Sequence, residues 1–271
     1  MFIIFQVTVL PALILAQVEP KYAISRMISY REQMSKAYKI FPFALSMVIA
    51  EMPYSILCAV AFFLPIYYIP GLQSQTSRAG YQFFIILVTE IFAVTLGQMI
   101  AALTPTPFIS SLCNPFVIII FALFCGVTIP KPQIPKFWRV WLYELNPFTR
   151  LIGGMIVTEL HDLQVQCTPQ EFNTFSAPSG QDCGSYMSDF FSNGAPGYLL
   201  NNATDACSYC AYKVGDQFYE PLGYEFGNRW RDFGIFAAFI GSNLIILFLA
   251  VSLTCSSVTI RYTNYAYRLV T

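Results

Sequence analysis

Two carboxylates stand where carboxylates are costly. Glu51 lies well inside the apolar run 41–69, beside Pro53, and Glu90 lies inside the run 81–103. A carboxylate at mid-bilayer costs roughly 2.5–3.5 kcal/mol on insertion scales, so each should face a bundle interior, a partner or water. Two readings stand for both. Either the carboxylate holds moving helices in register, or a neighbouring Ser, Tyr or backbone group simply satisfies it. A second group is spread over 107–129. Ser111, Asn114, Ile118, Phe121 and Cys125 recur at helical spacing and share one face. A mixed polar and aromatic face suits a site for amphipathic small molecules. It suits equally a helix–helix interface in which Ser and Asn hydrogen-bond across helices.

The cysteines form a third group. Cys167, Cys183, Cys207 and Cys210 fall in a polar stretch between His161 and Asp232 that also carries the sequon Asn202-Ala203-Thr204. Cys207-Ser-Tyr-Cys210 has the spacing of a redox or metal pair, but its setting favours structural disulfides. Four cysteines allow three connectivities, and sequence alone does not choose. The nested pairing, Cys167–Cys210 with Cys183–Cys207, is the one expected, because it keeps both bridges in one lobe. Its outer bridge would contribute about 4 kcal/mol in the chain-entropy model. Asn202 is a candidate glycosylation site within the inner loop. The remaining cysteines, Cys58, Cys113, Cys125 and Cys255, lie in apolar runs and read as small core- or lipid-facing residues. With His161 the only histidine, no Ser-His-Asp constellation and no zinc-type spacing can be built, and no phosphate loop is present. No catalytic residue and no metal ligand is expected.

The elements that position these groups are membrane helices. Of 271 residues, 56% are hydrophobic and only 11% charged, and mean hydropathy is +0.54. That is too apolar for a soluble domain of this size. Net charge is zero, which points away from nucleic acid. Five runs are long and apolar enough to span, at 2–17, 41–69, 81–103, 107–129 and 233–255. The first could be read as a signal peptide, but it lacks a basic start and Gln17-Val18 is a poor cleavage context. Pro11, Pro53 and Pro115 sit inside spans, where kinks are tolerated. The loop 18–40 carries Lys21, Arg26, Arg31, Lys36 and Lys39 against Glu19 and Glu32, and the tail carries Arg261 and Arg268. The positive-inside rule puts that loop in the cytoplasm. Five spans then place the N-terminus outside, the C-terminus inside, and the cysteine-rich stretch outside, in agreement with its cysteines and sequon. Residues 130–160, with Trp138, Trp141 and Tyr143 among prolines, read as interfacial. The stretch 147–160 is too short to span and reads as a re-entrant or interfacial helix. The fold class is therefore an all-α polytopic membrane bundle with a disulfide-bonded extracellular loop domain. Its parts are 1–130, 131–232 and 233–271.

Several runs carry a family resemblance. They are Arg26-x3-Tyr30-Arg31-Glu32-x2-Ser35-Lys36-x-Tyr38, Glu51-Met52-Pro53-Tyr54 and Trp141-Leu-Tyr-Glu-Leu-Asn-Pro-Phe-Thr-Arg-Leu-Ile-Gly-Gly154. To these add Pro178-Ser-Gly180, Gly197-Tyr198-Leu199, Asn202-Ala-Thr-Asp-Ala-Cys-Ser-Tyr-Cys210 and Arg229-Trp230-Arg231-Asp232. Together they resemble the second membrane domain of fungal pleiotropic-drug-resistance ABC exporters of subfamily G, over nearly the whole chain. The resemblance implies an ATP-driven exporter of hydrophobic drugs, xenobiotics or lipids in the plasma membrane. Its partners would be membrane lipids, a hydrophobic substrate, nucleotide-binding domains and a second membrane domain, with ATP and Mg as cofactors of the full-length transporter. It implies that Arg26, Tyr30, Arg31 and Glu32 couple to a nucleotide-binding domain, where the plainer reading is a solvated basic loop. It implies that the helix 107–129 lines a substrate cavity, with Phe5 and Thr8 of the first span facing the same space. The departures are that no nucleotide-binding domain is present and that the chain starts at what resembles the second span. That suggests a fragment, a truncated gene model or a relic, and no enzyme on its own. The rival reading is a non-transporting polytopic protein whose ectodomain binds a partner. A secondary carrier would show a second repeat half, and none is visible.

Overall fold

The computed structural model describes residues 2–270 apart from 36, 37, 74, 179 and 205, and the side chains of 2, 3, 34, 40 and 254–270 are also not described. Lys36, Ser179 and Asp205, and the side chains of Cys255, Arg261 and Arg268, therefore lie outside the described residues. The chain divides into two compact units, Met1–Met155 with Trp230–Thr271, and Ile156–Arg229.

The first unit is a helical membrane bundle. A short helix α1 (Phe2–Gln6) passes through a 3-10 turn at Val7–Val9 into α2 (Leu10–Met34). Pro11 sits in the first turn of α2, where its missing N–H costs nothing. Next come α3 (Ile40–Tyr68), α4 (Thr76–Leu103) and α5 (Pro107–Leu123). Four segments are long and apolar enough to cross a membrane, Ile4–Gln33, Phe41–Tyr68, Thr76–Leu103 and Phe226–Leu253, and Pro107–Leu123 is a shorter apolar helix.

Two boundaries differ from the hydropathy reading. The loop expected at 18–40 is helical through Met34, because Lys21, Arg26 and Arg31 interrupt hydropathy without interrupting helix propensity. The run 107–129 is helical only to Leu123. Thr106 caps its start by accepting from the Ile109 N–H, and Gly126 at φ +91° turns the chain beyond its end.

After α5 the chain makes a short helix, α6 (Lys136–Trp138), and a π turn at Arg139–Tyr143. Trp138 and Trp141 stay exposed there. Helix α7 (Pro147–Leu160) follows. Its residues 147–159 are buried except Arg150. Residues 131–155 fall in the first unit.

The second unit is held by two disulfides, Cys167–Cys210 and Cys183–Cys207. Strands β1 (Asn173–Phe175), β2 (Tyr198–Leu199) and β3 (Cys207–Cys210) form an antiparallel sheet in the order β1-β3-β2. Cys207 and Cys210 are three apart on one strand, so their side chains leave opposite faces. Their α-carbons stand about 10 Å apart at strand rise, too far for a bridge to each other. One bridge therefore reaches Cys183 at the start of α8 (Cys183–Ser192), and the other reaches Cys167. A short α9 (Asp216–Tyr219) precedes the last helix, α10 (Arg229–Val270).

Candidate functional site

Three membrane helices each turn a polar stripe toward one pocket. On α2 the stripe is Ile14, Gln17, Val18 and Lys21; on α3 it is Glu51, Tyr54, Ser55 and Cys58; on α4 it is Glu90 and Val94. The spacings are the i, i+3, i+4, i+7 pattern of one helical face. Together they enclose a cavity of about 350 Å³. Gln17, Lys21, Tyr54 and Cys58 are exposed at its rim, and Glu51 and Glu90 are buried beneath.

Glu51 has a partner that its sequence neighbourhood does not suggest. The Lys21 ammonium donates to the Glu51 carboxylate and lies 5.6 Å from the centre of the Tyr54 ring. Lys21 belongs to the basic segment expected to be a loop. The stripe Ile14–Val18–Lys21, carried across the end of the hydropathy peak, is the signal that could have found it. Glu90 is 1% exposed, and its Oε1 makes no hydrogen bond among the described residues. A further carboxylate, Glu19, is equally buried, and the Ser110 hydroxyl on α5 is its side-chain neighbour. Glu19 was counted as a loop charge, so sequence reasoning passed over it.

The four expected coupling residues separate. Arg26 is buried and caps α4 from outside that helix. Its Nη1 donates to the carbonyls of Ala101 (2.7 Å), Thr104 (2.9 Å) and Ala102 (3.4 Å), and its Nη2 to that of Pro105 (3.2 Å). The last carbonyls of a helix have no partner within it and carry partial negative charge. A planar guanidinium meets several of them at once. Tyr30 is half-buried, and Arg31 and Glu32 are exposed at the end of α2. The Tyr38 hydroxyl donates to Glu32 Oε2 at 2.6 Å.

The face expected on 107–129 also separates. Asn114, Ile118 and Cys125 are buried, Phe121 is half-buried, and Ser111 is exposed with its hydroxyl turned to the Pro107 carbonyl. Phe108, Leu112, Phe116 and Ile119 make up the exposed side. Thr8 is buried and donates to the Phe5 carbonyl, while Phe5 is half-buried.

The Asn146-Pro-Phe-Thr-Arg150 run proves to be a structural knot. Asn146 Oδ1 accepts from the Phe148 N–H, capping α7, and Pro147 occupies the first helical position. Asn146 Nδ2 donates to the Phe121 carbonyl at 2.7 Å, tying α7 to the end of α5. Thr149 donates to the Tyr143 carbonyl at 3.1 Å. Arg150 pairs with Glu144 at 2.8 Å and with Asp232 at 3.2 Å, which anchors α10. Behind it, a Cβ on Gly154 would meet the Tyr81 hydroxyl at 2.4 Å, so any larger residue there would force the Tyr81 ring to move.

In the lobe, Asn202 Oδ1 accepts from the Gly184 N–H at 2.6 Å, at the start of α8. His161 Nδ1 lies 2.7 Å from Asp216 Oδ1, its Nε2 lies 3.3 Å from Asp162, and its ring stacks on Phe226. His161, Asp162 and Asp216 form a group with metal-ligand chemistry, absent from the sequence expectations because Asp216 lies far along the chain from the adjacent His161 and Asp162. The two ring nitrogens face opposite carboxylates, however, so a single ion could not use both.

Comparison with known proteins agrees with this architecture. Residues 1–160 match the family model for the ABC-2 type transporter. The chain is 64% identical to ABC multidrug transporter I of Aspergillus fumigatus over 96% of its length. It is 36% identical to ABC transporter G family member 11 of Dictyostelium discoideum over 93%, and 37% identical to the ABC-type transporter cns4 of Cordyceps militaris over 88%. It spans 18% of the length of each of these relatives. A polytopic helical bundle matching that model over its first 160 residues belongs to the ABC-2 type transporter family, of which it is a membrane domain.

Proposed function

We propose that this chain is the membrane part of an ATP-driven exporter of hydrophobic drugs, xenobiotics or lipids. It forms one wall of the substrate cavity through Ser111, Asn114, Ile118 and Phe121 of α5 and Cys125 just beyond its end, with Phe5 and Thr8 facing the same space. The disulfide-stapled lobe is the extracellular lid, with Asn202 its glycosylation site. ATP and Mg act in nucleotide-binding domains that work with a second membrane domain, and the assembly resides in the plasma membrane.

One observation carries the coupling part of this reading. Helix α2 runs unbroken from its apolar part to the exposed Arg31 and Glu32. Arg26, just before them, holds the end of α4. A push delivered at Tyr30, Arg31 and Glu32 would therefore move α2 and α4 as one body. Surface ion pairs there can re-form as one body slides against another.

The test is a chimera. The chain replaces the matching segment of ABC multidrug transporter I from Aspergillus fumigatus, and drug efflux and ATPase activity are measured in membranes. Retained efflux is expected. The double reversal Arg31→Glu with Glu32→Arg should keep ATP hydrolysis and lose export. A chimera that reaches the membrane and hydrolyses ATP without moving drug would sink the exporter reading. Full transport by the reversed variant would sink only the coupling role.

A further inference from the structure

We propose that the pocket between α2, α3 and α4 is a binding site for a monocationic amphiphile, with Glu90 holding its ammonium group. The inference stands on the chain's own residues and holds whether or not the chain exports anything.

The charge count carries it. Among the described residues lining the pocket, Lys21 is the only cation, and Glu51 and Glu90 are the two carboxylates. Lys21 is committed to Glu51, to which it donates. That leaves Glu90 with no cation, 1% exposed, with Oε1 making no hydrogen bond among the described residues. A carboxyl so placed, with no cation beside it, is costly to ionise until a cation arrives. A chain with no use for it would gain by losing it. The pocket supplies what a cationic ligand needs beside the charge. Val18 and Val94 offer an apolar wall for an alkyl stem, and the Tyr54 ring faces the same space. The Lys21 ammonium already lies 5.6 Å from that ring's centre, so the ligand's ammonium is left to Glu90. A volume of about 350 Å³ admits an ammonium with a short chain or a single ring. A divalent metal ion would require several oxygen ligands converging on one point, whereas here the second carboxylate is already paired.

Cys58 at the rim provides a reporter in the unmodified protein. The purified chain, in lipid nanodiscs at neutral pH, is treated with N-ethylmaleimide, and modification of Cys58 is followed by peptide mass spectrometry. Hexylamine and 1-hexanol are compared as protectants. Hexylamine should protect at a concentration roughly tenfold lower than the alcohol, the margin of one charge-assisted contact. Glu90→Gln should erase that preference, and Glu90→Asp should keep part of it. Equal protection by amine and alcohol in the unmodified chain would overturn the proposal, leaving an apolar crevice only. So would a preference for the amine that survives in Glu90→Gln, which would assign the effect to the Glu51 side. If Glu90→Gln fails to fold, Glu90→Asp decides: an amine preference undiminished there would overturn the role of Glu90.

Discussion

In the membrane unit several ties between helices are single polar side chains reaching backbone carbonyls. Arg26 holds the end of α4. Gln98 donates to the Met47 carbonyl at 3.1 Å, and Gln82 to that of Met155 at 3.0 Å. In the lobe the ties are covalent. Its strands are two to four residues long, and much of what is buried there is cystine, with Tyr219 and Met187 beside it. The difference follows from the solvent. Lipid offers no competing hydrogen bonds, so one donor aimed at an orphan carbonyl is enough to fix a helix end. Around the lobe, water competes for every such contact, and too little apolar area is buried to replace it. Small domains in that position are stapled.

If this division is right, cutting a staple should damage the lobe alone. Cys210→Ser opens the outer bridge and should cost the lobe about 4 kcal/mol in the chain-entropy model. Amide hydrogen exchange across Leu163–Tyr219 should lose protection, while α3 and α4 exchange as before. Loss of protection in α4 as well would break the comparison, because the two units would then share one cooperative unit.

The converse cut is Arg26→Met. It strands several carbonyls at the end of α4 and should cost about 3 kcal/mol, the scale of a buried charge-assisted contact. Faster exchange should appear at Leu103–Thr104 and leave the lobe untouched. Arg26→Lys should recover only part, since one ammonium cannot fan across carbonyls that a planar fork spans. An unchanged α4 end in Arg26→Met would show that local solvent, and not the guanidinium, satisfies those groups.

How much of this was legible beforehand differs between the two regions for the same physical reason. The membrane bundle announces itself because hydropathy is a sum over many residues. Its polar contacts do not, because each depends on which face of a long helix meets which neighbour. Glu51 and Glu90 were recognisable as costly groups, yet Lys21 and Glu19 were hidden. A hydropathy window ends where charge begins, and α2 does not end there. The Asn146–Arg150 run was visible as a motif, but its task of capping α7 and tying α5 and α10 needed coordinates. In the lobe the cysteines stood out at once, and the three-residue offset on β3 explains why Cys207 and Cys210 look outward to different partners. The His161–Asp216 contact joins residues far apart in sequence with no pattern between them, and nothing short of the fold could have joined them.

That contact gives the smallest effect and the most selective one. Burial works to raise the Asp216 carboxyl, but hydrogen bonds from the Tyr219 hydroxyl, the His161 ring and the Asp162 N–H outweigh it. The net result holds Asp216 below its ordinary value. A carboxylate depressed in the folded state contributes stability that is complete above its unfolded value and is lost as pH falls through the folded one. The window therefore lies below about pH 4, where free aspartate titrates, and the neutral range should be flat. Protection factors at His161–Tyr219, which allow for the intrinsic slowing of exchange in acid, should fall on acidification in the unmodified chain and much less so in Asp216→Asn, which has no proton to gain at that position. The Cys167–Cys210 bridge should limit the opening, so the acid effect should grow when the bridge is reduced. An acid response of equal size in Asp216→Asn would move its origin to other carboxylates of the lobe. An acid response in α4 matching that of the lobe would again dissolve the separation between a unit tied by single donors and a unit tied by sulfur.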